Sequence, residues 1–77
     1  MDLGSIVKDL RKKKGMKQSE LAEKAGISRV AVGNYERNER TPNVEILLKL
    51  ANALDVPIMD LMNIPADDYN AIRDIAK

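Results

Sequence analysis

The chain has 77 residues, 44% of them hydrophobic and 32% charged, with a formal net charge of +1, which is enough for one small domain with a modest core. It contains no Cys and no His, and this excludes disulfides, thiolate nucleophiles, imidazole bases and nearly every transition-metal site. The sequence has neither a long apolar run nor a signal peptide, so we expect a cytoplasmic protein with no metal and no cofactor.

The first predicted element is an amphipathic helix over residues 1–14. Its apolar residues recur at i, i+3, i+4 and i+7, which is one face of a helix: Leu3, Ile6, Val7 and Leu10. Residues 11–14 are all basic and suit the negative end of the helix dipole. Gly15 follows and is a typical helix stop.

The segment Lys17 to Glu36 predicts two short helices joined by a turn. Gly26 ends the first of them, whose apolar stripe consists of Leu21, Ala22 and Ala25. Glu20 is placed to complete a capping box, but the Lys17 side chain cannot accept a hydrogen bond from the backbone. We therefore expect this helix to begin without its usual cap.

Ser28 is the natural N-cap of the next helix, over residues 29–36. Val32 and Tyr35 lie three residues apart and are predicted to face inward, so Tyr35 is interpreted as a core residue. The residues predicted to face outward are Arg29, Val30, Gly33 and Asn34. Two helices joined by a short turn containing Gly form a helix-turn-helix, which can present its second helix to a major groove.

A polar loop then ends at Pro42, and Asn43 is expected to cap a helix over residues 44–54. This segment has the widest apolar face in the chain, formed by Val44, Leu47, Leu48, Leu50, Ala51 and Leu54.

Pro57 cannot continue that helix but suits the start of another, so residues 58–62 predict a short fifth helix. Beyond an Asn-Ile-Pro linker, residues 66–77 have the spacing of a final amphipathic helix. No strand pattern and no internal repeat is present in the sequence. We therefore predict an all-α fold, with a compact five-helix domain at residues 1–62 and a short helical extension at residues 63–77.

The positive charge lies in the first half of the chain. Residues 1–40 contain ten Lys and Arg against six Asp and Glu, a net charge of +4, whereas residues 41–77 contain three against six, a net charge of −3. The second helix of the predicted helix-turn-helix, residues 29–36, is called the reading helix. The basic residues near it are Arg11, Lys12, Lys13, Lys14, Lys17, Arg29, Arg37 and Arg40. This distribution is expected of a surface that faces phosphates, although a solvated lysine-rich helix end is the simpler alternative.

Residues 10–62 resemble the Xre/Cro, lambda-repressor-like family of helix-turn-helix DNA-binding regulators. The resemblance lies in the Gln-x-x-Leu-Ala run from Gln18, in Gly26 and Ser28, in the Tyr35-Glu36 pair, and in the Pro-x-x-x-x-Leu-x-x-Leu-Ala segment from Pro42. It implies a five-helix domain whose second and third helices form the reading unit. It also implies that Gln18 contacts a phosphate and supports the reading helix, and that Arg11 pairs with Glu36. Departures from the family pattern are Lys17 for Thr, Gly33 within the reading helix, and Pro57 for a Ser-type cap.

Contacts with DNA can be predicted from side-chain chemistry. Arg29 can pair with guanine, Asn34 with adenine, and Val30 can touch a thymine methyl group. The alternatives are that Arg29 binds phosphate, that Asn34 is a solvated surface residue and that Val30 is partly core. The candidates for phosphate contacts are Lys17, Gln18, Arg37, Arg40, Thr41 and the helix start at Asn43.

These patterns predict a regulator that binds double-stranded DNA sequence-specifically. The preferred interpretation is a repressor that acts as a homodimer on a near-palindromic operator. A protein-interaction module of the same fold, such as an antitoxin or coregulator, is the alternative, and an exposed apolar reading face would favour it. An enzyme is not expected, because only carboxylates and lysines are available for catalysis and no phosphate-binding glycine loop is present.

The predicted dimer interface lies after the fourth helix, where the apolar side chains exceed what a short last helix can bury: Ile58, Leu61, Met62, Tyr69 and Ile72. The alternative is that Tyr69 and Ile72 fold back on the core of their own chain.

Overall fold

Five α-helices follow one another along residues 2–62, the part of the chain that the computed structural model describes. They are α1 (Leu3–Lys13), α2 (Gln18–Ala25), α3 (Arg29–Glu36), α4 (Val44–Leu54) and α5 (Ile58–Met62). Residues 2–62 contain no strand, and the predicted five-helix fold is confirmed. The helix predicted at residues 66–77, with Tyr69 and Ile72, lies outside the described residues.

Three helices begin at a side-chain cap, in which an oxygen accepts a hydrogen bond from the backbone N–H three residues on. Asp2 Oδ1 accepts from the N–H of Ser5 at 2.8 Å, Ser28 Oγ from that of Ala31 at 3.0 Å, and Asn43 Oδ1 from that of Ile46 at 2.8 Å. The second and third were predicted, whereas the cap at Asp2 was not. Each satisfies one backbone donor that the first helical turn leaves unpaired.

The start of α2 differs, as its sequence predicted, because the Lys17 side chain makes no capping hydrogen bond. The other half of the capping box is nevertheless present: Glu20 Oε1 accepts a hydrogen bond from the backbone N–H of Lys17 at 3.1 Å. The expectation that this cap would be missing is therefore only half right, because Glu20 still satisfies one backbone donor.

Each of the first four helices is followed, within two residues, by a residue with a left-handed backbone. Gly15 (φ 69°) and Gly26 (φ 70°) end α1 and α2 as predicted. Asn38 (φ 59°) and Asp55 (φ 57°) take the same conformation after α3 and α4. Short polar side chains tolerate this region better than most residues do, because they can hydrogen-bond locally. The backbone N–H of the residue that follows each stop bonds back to a carbonyl of the last helical turn.

The core lies where the five helices meet, and every helix contributes to it. Its largest fully buried side chains are Val7, Leu21, Val32, Leu50, Leu54 and Leu61. Burial of one such side chain contributes roughly 1.5 to 3 kcal/mol. Val32 holds the inner face of α3 against this core, which leaves the opposite face of the helix toward solvent.

The position of Leu61 corrects one expectation. Its side chain is 1% exposed and belongs to the core of its own chain, so it is not available to a second subunit. Ile58 packs against the same core and is half-buried, while Met62 remains 42% exposed. Of the three predicted interface residues on α5, Met62 is thus the most accessible.

The first turn of α1 contacts the end of α3 through Gly4. A Cβ atom at this position would lie 2.5 Å from the carbonyl oxygen of Glu36 and 2.6 Å from that of Tyr35, so no larger residue fits without movement of the backbone. The Gly4 N–H donates to Asn38 Oδ1 at 3.1 Å. Close packing and this hydrogen bond together hold the C-terminal end of α3 in place.

Candidate nucleic-acid interface

The outer face of α3 is mostly polar and accessible. Arg29 is exposed, Val30 is 62% exposed, and Asn34 is half-buried. Val30 and Asn34 are four residues apart, so they lie on one face of the helix about 6 Å apart along its axis. All three residues predicted to contact bases therefore lie together on the accessible side of a single helix.

Gly33 does not lie open on this face, contrary to the prediction. It is buried, because the side chain of Arg37 lies over it. A Cβ atom at Gly33 would lie 2.9 Å from Arg37 Nη1. The lack of a side chain at this position makes room for the guanidinium group.

A buried ion pair joins α1 to the end of α3. Arg11 Nε donates to Glu36 Oε2 at 2.6 Å, and Arg11 Nη2 donates to Glu36 Oε1 at 3.0 Å. Arg11 Nη1 also donates to the carbonyl oxygen of Met16 at 2.8 Å. The side chains of Arg11 and Glu36 are only 11% and 3% exposed. The pair implied by the family resemblance is thus formed, with two parallel hydrogen bonds.

Burial by itself would raise the pKa of Glu36, since it disfavours the charged form. The hydrogen bonds from Arg11 and Gln18, together with the positive charge of Arg11, outweigh this effect and leave the pKa of Glu36 below its ordinary value. Glu36 is accordingly ionised at neutral pH, and Arg11 is held within the fold by this partner.

Gln18 connects the start of α2 to the same pair. Its Nε2 donates to Glu36 Oε1 at 3.1 Å, and the residue is half-buried. A side-chain amide has two N–H donors, so the second remains for another acceptor. Gln18 therefore supports α3, as the resemblance implied, and keeps one donor for a further acceptor.

The other predicted phosphate ligands lie near the starts of α2 and α4. Lys17, Arg40 and Thr41 are exposed. Asn43 uses its Oδ1 to cap α4. The first backbone N–H groups of a helix lack helical partners and favour anions. Asn43 thus organises this helix start, and the amides after it are the better candidates for a phosphate contact.

Arg37 has a different environment from Arg40. Its Nε donates to Glu39 Oε1 at 2.9 Å, and its Nη2 donates to Glu39 Oε2 at 3.3 Å and to Asn34 Oδ1 at 3.0 Å. The hydrogen bonds and charge of Arg37 lower the pKa of Glu39. Since a carboxylate already balances its charge, Arg37 is a weaker candidate for phosphate than the sequence suggested.

The described residues contain no group of three or more acidic side chains that could hold a metal ion. No helix within residues 2–62 has both the length and the apolar character needed to span a bilayer. The side chains that come together are cations, amides and hydroxyls around one helix. Such groups donate hydrogen bonds to phosphates and base edges.

Comparison with known proteins gives this arrangement a context. A model of the helix-turn-helix family matches residues 7–61. The transcriptional regulator SinR of Bacillus licheniformis is 42% identical over 62 residues, covering 79% of this chain and 56% of SinR. The regulator SutR of Escherichia coli is 36% identical over 72 residues, covering 94% of this chain and 40% of SutR. The structure of the P22 c2 repressor protein in complex with a synthetic operator has a TM-score of 0.75 and 36% identity, covering 79% of this chain and 92% of that one.

The chain thus spans 56% of the length of SinR and 40% of that of SutR. The segment matched by the family model includes α2, α3 and α4 entirely, and with them the whole reading unit. The matched relatives are transcriptional regulators rather than enzymes. The chain belongs to the helix-turn-helix family of Xre and lambda-repressor-like DNA-binding transcriptional regulators.

Proposed function

We propose that the chain is a sequence-specific DNA-binding unit that represses transcription from a near-palindromic operator, with residues 1–62 as the DNA-binding domain. The observation that carries this proposal is the accessible polar face of α3, which a buried ion pair and the Gly4 contact hold in place. The similarity to the P22 c2 repressor, whose structure contains an operator, supports the repressor role.

On this proposal α3 lies in the major groove. Arg29 donates two hydrogen bonds to O6 and N7 of a guanine, and Val30 contacts a thymine methyl group. Asn34, one helical turn further on, pairs with an adenine. Exposure of Arg29 and Val30 and the shared face of Val30 and Asn34 support this assignment.

Phosphate contacts flank the groove on this proposal. Lys17 and Gln18 lie at the start of α2, and Arg40 and Thr41 precede the start of α4 at Asn43. Contacts of this kind set the register of the protein on DNA without reading its sequence. They also release counterions, so affinity should fall steeply as salt concentration rises.

The test is fluorescence anisotropy with one selected duplex and one unrelated duplex at several salt concentrations. Lys17→Ala or Arg40→Ala should weaken binding to both duplexes by the same factor and reduce the salt slope by about 1. Arg29→Ala should instead weaken binding mainly to the selected duplex. If Arg40→Ala changed sequence preference and left the salt slope intact, its assignment to phosphate would be wrong.

The proposal includes a homodimer, because one reading helix contacts too few base pairs to distinguish an operator from the many non-specific sites. The accessible Met62, with the half-buried Ile58, is the described part of the proposed interface. Tyr69 and Ile72 complete the proposed interface and lie outside the described residues. Half-sites should then be separated by about one helical turn, roughly 34 Å.

Truncation after Asn63 tests the position of this interface. Removal of Tyr69 and Ile72 should leave a folded monomer that binds half-sites weakly, as measured by analytical ultracentrifugation and anisotropy. A truncated chain that sediments as a dimer and keeps full operator affinity would place the interface before residue 64, most simply on the exposed side of α5.

A further inference from the structure

The end of α3 contains a side-chain arrangement that direct recognition by α3 does not require. Arg37 makes two hydrogen bonds to Glu39 and one to Asn34, at 2.9, 3.3 and 3.0 Å. Its guanidinium lies over Gly33, where a Cβ atom would be 2.9 Å from Nη1. Left-handed backbone at Asn38 turns the chain so that Glu39 can reach Arg37. The position of this guanidinium group is thus determined by four residues: Gly33, Asn34, Asn38 and Glu39.

The chemistry of the Arg37–Asn34 contact determines which way the Asn34 amide is oriented. A guanidinium group has only donors, so the atom of Asn34 that faces Arg37 must be the oxygen. The amide nitrogen is on the other branch of the side chain and keeps its two N–H donors for another partner. Without Arg37, the amide could rotate by half a turn and present its oxygen instead.

The two orientations suit different bases. Guanine, adenine and thymine each present an acceptor in the major groove, whereas cytosine presents only the N4 amino donor. An amide held with its nitrogen outward can donate to the first three bases. Cytosine would need the oxygen outward, which the hydrogen bond from Arg37 opposes.

We propose that Arg37 is a positioning residue for base recognition: held by Glu39 over Gly33, it orients the Asn34 amide so that this residue rejects cytosine at the base it reads. The inference rests on the proposed DNA-binding function and replaces the phosphate contact that the sequence suggested for Arg37. Glu39, which makes no DNA contact in this account, is part of the specificity apparatus because it fixes Arg37.

The experiment uses the full chain and a selected operator. The base pair read by Asn34 is the one whose preference disappears in Asn34→Ala. Affinity is then measured for four duplexes that differ only at that base pair, with the unaltered chain, Arg37→Met, Arg37→Lys and Arg40→Met. Arg40→Met is the matched control, because it removes the same charge from an exposed arginine three residues away.

The unaltered chain should bind the cytosine duplex on the order of 10-fold more weakly than the preferred one. In Arg37→Met this ratio should fall to about 2-fold or less, with little change in salt slope, because Arg37 is bonded to Glu39 and contacts no phosphate on this proposal. Arg37→Lys should not restore the ratio, since an ammonium group lacks the planar set of donors that reaches both partners. In the Asn34→Ala background, Arg37→Met should not change base preference further.

Gly33→Ala provides a second route to the same result. The added Cβ atom would displace the guanidinium and leave its charge in the chain, so cytosine rejection should weaken as in Arg37→Met. Circular dichroism of each variant tests whether it is folded.

A uniform loss of affinity in Arg37→Met, with the salt slope reduced by about 1 as in Arg40→Met, would overturn the inference and restore the phosphate role. Full cytosine rejection in Arg37→Met would also overturn it, because the Asn34 amide would then be oriented without Arg37. If the unaltered chain selects no site at all, the proposed function fails first, and the inference with it.

Discussion

The buried pair between Arg11 and Glu36 gives the sharpest prediction about stability. We expect either Arg11→Met or Glu36→Leu alone to be strongly destabilising, and the double substitution to be far milder than the two losses added together. Each single change leaves one charge buried without its partner, whereas the double change replaces both charges with apolar side chains of similar size.

The magnitude follows from what each substitution removes. Glu36 accepts three hydrogen bonds, two from Arg11 and one from Gln18, so Arg11→Met leaves a carboxylate that is 3% exposed with one donor. Breaking a buried pair in this way costs about 3 to 5 kcal/mol. Domains are stable by roughly 0.05 to 0.15 kcal/mol per residue, or about 3 to 9 kcal/mol for residues 2–62. A single substitution can therefore remove most of the stability.

The assay is urea unfolding followed by circular dichroism at neutral pH, with the linear extrapolation applied to all four members of the cycle. Glu36→Gln is a gentler variant that keeps the shape of the side chain if Glu36→Leu does not fold alone. The matched control is Glu45→Ala, which breaks the exposed Glu45–Lys49 pair at 3.7 Å. That change should cost no more than about 0.5 kcal/mol.

Coupling between Arg11 and Glu36 should reach at least about 2 kcal/mol in this cycle. Losses that add within about 0.5 kcal/mol would show that the two side chains contribute to stability independently and are not partners.

Three further results are expected. Because the pKa of Glu36 is lowered in the folded state, the ionised carboxylate contributes its full stabilisation above the ordinary pKa of 4.5 and loses it as pH falls through the folded-state pKa. The urea midpoint should therefore decline less on acidification in Glu36→Gln than in the unaltered chain. An equal decline in both would contradict this role of Glu36. Gly4→Ala should lower stability by about 1 to 3 kcal/mol in thermal melts, because its Cβ would lie 2.5 Å from a backbone oxygen. Gly33→Ala should be neutral or stabilising by up to about 1 kcal/mol in the same melts, because only the flexible Arg37 side chain must move, and the reverse order would contradict the packing described. Lys17→Thr should complete the capping box with Glu20 and stabilise α2 by about 1 kcal/mol, and no rise in melting temperature would count against the cap argument.

Local signals were sufficient to predict the helices. Apolar periodicity and the caps at Ser28 and Asn43 led to the observed bounds of α3 and α4, residues 29–36 and 44–54. The glycine stops of α1 and α2 were equally clear. The stops at Asn38 and Asp55 were not predicted as left-handed, because Asn and Asp adopt that backbone less regularly than Gly does.

Features that depend on tertiary contacts were harder to predict. Leu61 has the same local pattern as an exposed apolar residue, and only the docking of α5 shows that it is core. Gly33 looked accessible because its cover, Arg37, comes from the next turn of the chain. The pairing of Arg37 with Glu39 depends in turn on the left-handed Asn38 between them. An Asn between a basic and an acidic residue at a helix end is the sequence signal that could have suggested this pair.

Selection of bound sites from random duplex DNA by the unaltered chain at low salt tests whether α3 reads a DNA sequence. We expect one enriched half-site, repeated with two-fold symmetry about one helical turn away, roughly 34 Å centre to centre. Repeating the selection with Arg29→Ala should change the preferred base at one position of each half-site and leave the spacing unchanged. Recovery of random sequences by the folded chain would contradict sequence-specific DNA binding through α3 and would favour a protein partner for the same surface.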